Sequence, residues 1–132
     1  MELEIEVLGD DLAAGRPDMP DRAELERLVR MAVQTVGIED GHLAISFVDA
    51  ERIAELNAEH RGKQGPTDVL SFPIDEDEEP LGPRELGDVV ICPEHTVDLR
   101  EAIVHGVLHL VGMDHEVDDG EMLARQAEIL AS

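Results

Sequence analysis

Three histidines stand close together in the stretch His105-Gly-Val-Leu-His109-Leu-Val-Gly112-Met-Asp114-His115. His105 and His109 are four apart, so on a helix they lie one turn above each other, with Cβ atoms about 5–6 Å apart. Two imidazoles at that separation can both reach one ion at about 2.0–2.1 Å. Gly112 is placed to reverse the chain after the helix, which lets His115 return toward the same point. Three neutral imidazoles leave a fourth tetrahedral position for water, the arrangement of a catalytic zinc site. The spacing therefore predicts one Zn2+ per chain, held by His105, His109 and His115 at the end of a helix. Nickel or iron would suit the same donors, since affinity order alone does not set occupancy. The alternative is a solvated histidine cluster, against which the third histidine after a glycine break counts.

The elements that must position this trio can be read from hydrophobic periodicity. Residues 2–8 alternate acidic and aliphatic side chains, as a strand with one wet face does. Gly9 to Pro20 reads as a loop, and Leu25, Leu28, Val29, Ala32, Val33 and Val36 recur at helical spacing from Asp21 until Gly37. His42 to Val48 suits a second strand. Asp49 then caps a short helix carrying Ile53, Ala54, Leu56 and Asn57. The loop Arg61–Pro66 leads into a third strand, Asp68 to Phe72, closed by Pro73. The acidic run Asp75 to Glu79 lies in a solvated loop, and Gly87 to Cys92 forms a fourth strand ended by Pro93. The histidine helix is expected from Glu94 or Thr96 to Val111, with Val97 among its apolar set. A last helix from about Asp118 to Leu130 should turn Met122, Leu123, Ala127 and Leu130 inward. Strands interleaved with helices indicate an α+β or α/β sandwich.

The chain of 132 residues suits one metallohydrolase-like domain over 1–132. Its aromatic fraction of 2% leaves aliphatic side chains to fill the core. Cys92 is the single cysteine, which excludes an internal disulfide framework and a four-cysteine zinc site. No apolar run approaches the roughly 20 residues that span a bilayer, and the N-terminus lacks a basic leader region. A cytoplasmic protein without a membrane partner is expected. The net charge is −22, from 32 acidic and 10 basic side chains. Such a charge repels phosphate and anionic lipid, and alone it argues against nucleic-acid binding. It fits either a proteome adapted to high salt or an acidic surface peculiar to this chain.

The spacing of His105, His109, Gly112 and His115 is similar to the metzincin metalloprotease motif HExxHxxGxxH. Gly106, however, stands where those proteases carry their general-base glutamate. That assistance is typically worth about 10²–10⁴-fold in rate, so the metal stays expected while proteolysis becomes a minor alternative. The run HGVLHLVGMDHE resembles the HGxLHLxGxDH signature of the YbeY family, metal-dependent endoribonucleases of ribosomal RNA maturation. LNAEHRGKQGPTDVLSFP, Leu56 to Pro73, and LGDVVICPE, Leu86 to Glu94, match the same family in the same order. The resemblance implies an α+β fold in which a mixed central sheet of about four strands packs with helices. It also implies zinc at His105, His109 and His115, and an important arginine at Arg61. The implied activity is a single-strand-specific, zinc-dependent endoribonuclease acting in ribosomal RNA maturation and ribosome quality control. Its partners would be ribosomal RNA and the small subunit or its assembly factors. His60 and Met113 stand where the family commonly has tyrosine, which bears on base stacking and leaves the ligands intact.

Arg61 has a physical reason to matter, because a guanidinium is always charged and offers a planar fork to phosphate oxygens. With Lys63 it forms the most compact basic pair in the chain, able to give a cleft a local positive field. The bland alternative pairs Arg61 with Glu59 on the surface. Arg61, Lys63 and Ser71 are the expected substrate-binding residues; Arg61, His105, His109 and His115 are the expected catalytic ones. Asp68 can orient a ligand histidine or simply bond the backbone at the strand start, and Asp114 can do the former or form the turn. Cys92 reads as a buried small residue. His42 and His95 lack ligand spacing, and His60 should pack or stack beside the cleft. Two rival functions remain: a zinc hydrolase of peptides or another small substrate, and a non-catalytic zinc-stabilised ribosome-assembly factor.

Overall fold

The computed structural model describes residues 3–38, 40–74, 85–113 and 119–132. Among them, strands β1 (Leu3–Leu8), β2 (Gly41–Phe47), β3 (Val69–Pro73) and β4 (Glu85–Ile91) form one sheet in the order β1-β2-β4-β3. β1 and β4 run parallel to β2, and β3 pairs antiparallel with β4, so the sheet is mixed and β3 is an edge strand. With helices α1 (Arg22–Gln34), α2 (Ala50–Arg61), α3 (Leu99–Leu110) and α4 (Glu121–Ala131), this is the expected α+β fold.

Strand alternation decides which face each side chain joins. Leu3 and Ile5 of β1, Leu43 and Ile45 of β2, and Val89 and Ile91 of β4 enter the main core with α1, α3 and α4. Val90 of β4 turns the opposite way, into a smaller cluster with Leu70, Cys92 and Ile53 of α2. β4 is thus covered on both sides, while Glu4 and Glu6 keep β1 wet on one. α3 touches α1, α4, β3 and β4. This central placement explains its mostly apolar composition, since helices buried on several sides need apolar residues nearly all round.

Short polar signals set the helix ends. Asp21, Asp49 and Asp98 each accept from the amide three residues on, at 2.8, 2.8 and 3.2 Å, and so cap α1, α2 and α3. Capping by Asp98 corrects the expected start of α3. Pro93–His95 forms a separate 3₁₀ turn, and Val97 is 97% exposed in front of the helix instead of packing within it. β4 begins two residues earlier than expected, and the loop before Pro20 contains a 3₁₀ turn at Asp10–Ala13. Val36 is exposed beyond the end of α1. In α4 the buried positions are Met122, Gln126 and Ile129, whereas Leu123 is 49% exposed and Ala127 is exposed. The acidic run 75–79, Asp114, His115 and Asp118 lie outside the described residues.

Candidate active site

α3 reaches the site as a rigid rod pressed against the sheet edge. Gly106 makes that approach possible: a Cβ there would sit 2.5 Å from Val89 Cγ1 and 3.0 Å from Val69 Cγ2. Carbon atoms pack at about 3.5–4.0 Å, so the helix could not lie so close with a larger residue. Ser71 of β3 completes the joint by donating its hydroxyl proton to Gly106 O at 2.7 Å. The absence of a glutamate at position 106 therefore has a packing cause.

One turn of α3 puts His105 and His109 on the same face, their ring centroids 4.7 Å apart and their planes at 72°. The helix then stops in a Schellman turn. Gly112 has φ +101°, its amide donates to His109 O at 3.0 Å, and Met113 N donates to Leu108 O at 3.0 Å. The expected helix stop at Gly112 is present, and His115 lies outside the described residues. Among the described residues no three His, Cys, Asp or Glu side chains gather to hold a metal ion. Two imidazoles one turn apart nevertheless form the donor pair that a borderline transition metal takes.

His105 and His109 border a cavity of about 790 Å³ whose opposite wall is the edge strand β3. Arg61, the last residue of α2, lines it together with His60 of the same helix and Phe72 of β3. Gly62, with φ +65°, ends α2 and starts the loop to β3. Buried Asn57 fastens that loop by donating from Nδ2 to Gly65 O at 2.9 Å. Every other described arginine is ion-paired, but among the described residues no carboxylate pairs with Arg61. Glu59, the partner considered from sequence, lies 4.0 Å from His60 instead. Lys63 is exposed on the same loop and does not line the cavity.

His60 and Phe72 stack edge to face beside Arg61, with centroids 4.8 Å apart and planes at 63°. The other phenylalanine, Phe47, is buried in the core. Asp68 faces its own strand start, accepting from Val69 N at 2.9 Å and Thr67 Oγ1 at 3.3 Å. The group that meets a candidate ligand was missed in the sequence: Gln126 Oε1 lies 2.8 Å from His105 Nδ1. Its signal was the spacing of Met122, Gln126 and Ile129, which puts the amide in the middle of an inward stripe.

The remaining sequence candidates lie elsewhere. His42 stands on the solvated sheet face, where its hydrogen bond to the accepting Glu85 carboxylate, helped by the charges of Glu85 and Glu6, raises its pKa above the usual imidazole value. Cys92 is buried, and that burial pushes its thiol up. His95 sits in the 3₁₀ turn. No described helix is long and apolar enough to cross a membrane.

A family model described as Endoribonuclease YbeY matches residues 18–132. A Bacillus cytotoxicus protein named Endoribonuclease YbeY is 39% identical, over 82% of this chain and 83% of that one. Its namesake in Macrococcus caseolyticus is 35% identical, over 97% and 94% of the two chains. The solution structure of a Thermotoga maritima protein superposes with a TM-score of 0.55 at 28% identity, covering 96% of this chain and 86% of that one.

Proposed function

We propose, on the premise that the chain belongs to the YbeY family, that it is a zinc-dependent endoribonuclease cutting single-stranded ribosomal RNA during maturation and quality control. The observation that carries this reading is the convergence on one cavity of two imidazoles, an aromatic pair and a guanidinium that no carboxylate pairs among the described residues. Members of the family are metal-dependent. His105, His109 and His115 would hold one Zn2+, which when bound lowers the pKa of a water toward about 7 and offsets charge on phosphate.

The chain's own residues account for the rest of the chemistry. Arg61 forks onto the non-bridging phosphate oxygens, where charge builds as the bond breaks. Its fixed charge gives this wall a positive field against a net charge of −22, and Lys63 adds to that field from the loop. Ser71 commits its proton to Gly106 O, so toward the cavity it can only accept. It therefore suits a ribose hydroxyl better than a phosphate. His60 and Phe72 offer a face to one unstacked base, and single strands are the RNA form whose bases can be splayed out to use it. Few other platforms exist in a chain without Trp or Tyr. Affinity would then come largely from the small ribosomal subunit or its assembly factors, in the cytoplasm.

The rival peptide hydrolase would need a carboxylate from elsewhere as its base, because the packing at Gly106 closes the position where metzincins carry one. Zinc-loaded protein incubated with a single-stranded ribosomal RNA fragment and, separately, with casein tests the choice. RNA cleavage without casein cleavage is expected, and it should be absent from identically purified His105→Ala. Casein cleavage alone would establish the rival. Stable ribosome association without cleavage of either would establish a non-catalytic assembly factor.

A further inference from the structure

We infer that Gln126 is a positioning residue for the metal site: it fixes the tautomer and orientation of His105 from the C-terminal helix. The inference rests on the site proposed above, and its own observations are a buried amide and one short contact. Gln126 is only 9% exposed and occupies the inward stripe of α4 between Met122 and Ile129, where an aliphatic residue would serve packing better. A buried amide is costly unless hydrogen-bonded. Its Oε1 meets His105 Nδ1 at 2.8 Å.

The direction of that bond follows from the amide oxygen being the atom that faces the ring. An amide oxygen only accepts, so Nδ1 must carry the proton, and the lone pair of the neutral ring resides on Nε2. His105 is thus held as an Nε2 donor on the face it shares with His109. A ligand histidine commonly donates its second N–H to a carboxylate, a carbonyl or water. Here an uncharged amide takes that place, which orients the ring without adding to a net charge of −22. α4 becomes a strut for the site, which explains why a polar residue sits at a core position.

Two variants separate positioning from packing. Gln126→Met keeps the side-chain length and removes the acceptor, while Gln126→Glu keeps an acceptor. In metal-free, ¹⁵N-labelled wild type, long-range ¹H–¹⁵N spectra should show His105 as the Nδ1–H tautomer, and Gln126→Met should lose that signature. Chelator competition should show zinc bound about 10–100-fold more weakly by Gln126→Met, with binding at least as tight as wild type restored in Gln126→Glu. The thermal midpoint of metal-free Gln126→Met should not fall, because methionine suits the core; a purely structural glutamine would lower it. An unchanged tautomer in Gln126→Met, or unchanged zinc affinity in a variant whose wild type binds zinc, overturns the inference alone. Wild type that takes up no zinc removes the metal site itself, and the inference with it.

Discussion

Replacing Gly106 by alanine adds one methyl group at the tightest joint between α3 and the sheet. The new Cβ would lie 2.5 Å from Val89 Cγ1, 3.0 Å from Val69 Cγ2 and 3.6 Å from Ser71 Oγ. The first distance is about 1 Å inside normal carbon contact. Val89 is fully buried on a strand paired on both sides, so it cannot swing away. Overpacking of this kind costs about 1–3 kcal/mol, and the immobile Val89 places it near the upper end. Alanine returns about 0.8–1 kcal/mol in helix propensity. The net expectation is a loss of about 2 kcal/mol, which lowers the thermal midpoint by roughly 8 °C for a chain of this size. Calorimetry and urea unfolding should agree on it. Because the overlap is mainly with one methyl of Val89, the pair Gly106→Ala/Val89→Ala should be less unstable than the sum, with a coupling of about 1 kcal/mol. Gly106→Ala unfolding at or above the wild-type midpoint would refute the close-packing argument.

Arg61→Ala should reduce RNA cleavage by about 10²–10³-fold, the range for losing a group that stabilises developing charge, with zinc content unchanged. Equal loss of metal and activity, measured on the same samples, would contradict its placement on the phosphate. Phe72→Leu keeps an apolar side chain but removes the ring; KM for single-stranded RNA should rise at least about fivefold, since stacking is worth about 1–3 kcal/mol per base, with kcat little changed. The Arg27 hydrogen bond, with Arg100 behind it, holds the Glu24 carboxyl down at about 2 from 4.5. A lowered folded pKa stabilises above about 4.5, and that contribution fades as pH falls toward about 2. The urea-midpoint gap between wild type and Glu24→Gln should close across that interval. His42 has the opposite sign: its folded pKa is raised above 6.5 by Glu85, so its contribution is complete below 6.5 and disappears as pH climbs through the folded value. Wild type and Glu85→Gln should therefore converge in urea midpoint on the alkaline side.

The parts legible in the sequence were those governed by local rules. The pair His105 and His109 follows from the helical repeat, and the stop at Gly112 from the left-handed conformation that glycine adopts there. Asp21 and Asp49 announced their helices in the same local way. Val97 misled because an apolar residue next to a helix looks like its first buried position, whereas the cap at Asp98 decides where the helix starts. Gln126 was illegible for a related reason: a polar residue in an amphipathic helix is assigned to solvent unless its partner on another helix is known. The order of the strands, and so the presence of β3 at the cavity wall, depends on pairing between distant segments. Arg61 could be singled out by type and resemblance, but its lack of a carboxylate partner among the described residues emerges only when every neighbouring charge is in place.

Metal content per chain, measured by elemental analysis on wild type and on His105→Ala, His109→Ala and His115→Ala purified identically, tests the central claim most directly when RNA cleavage is assayed on the same preparations. One zinc per chain in wild type, with metal and cleavage lost together in each variant, is the predicted result. Full metal content or undiminished cleavage in any of the three variants would contradict a single ion shared by these imidazoles.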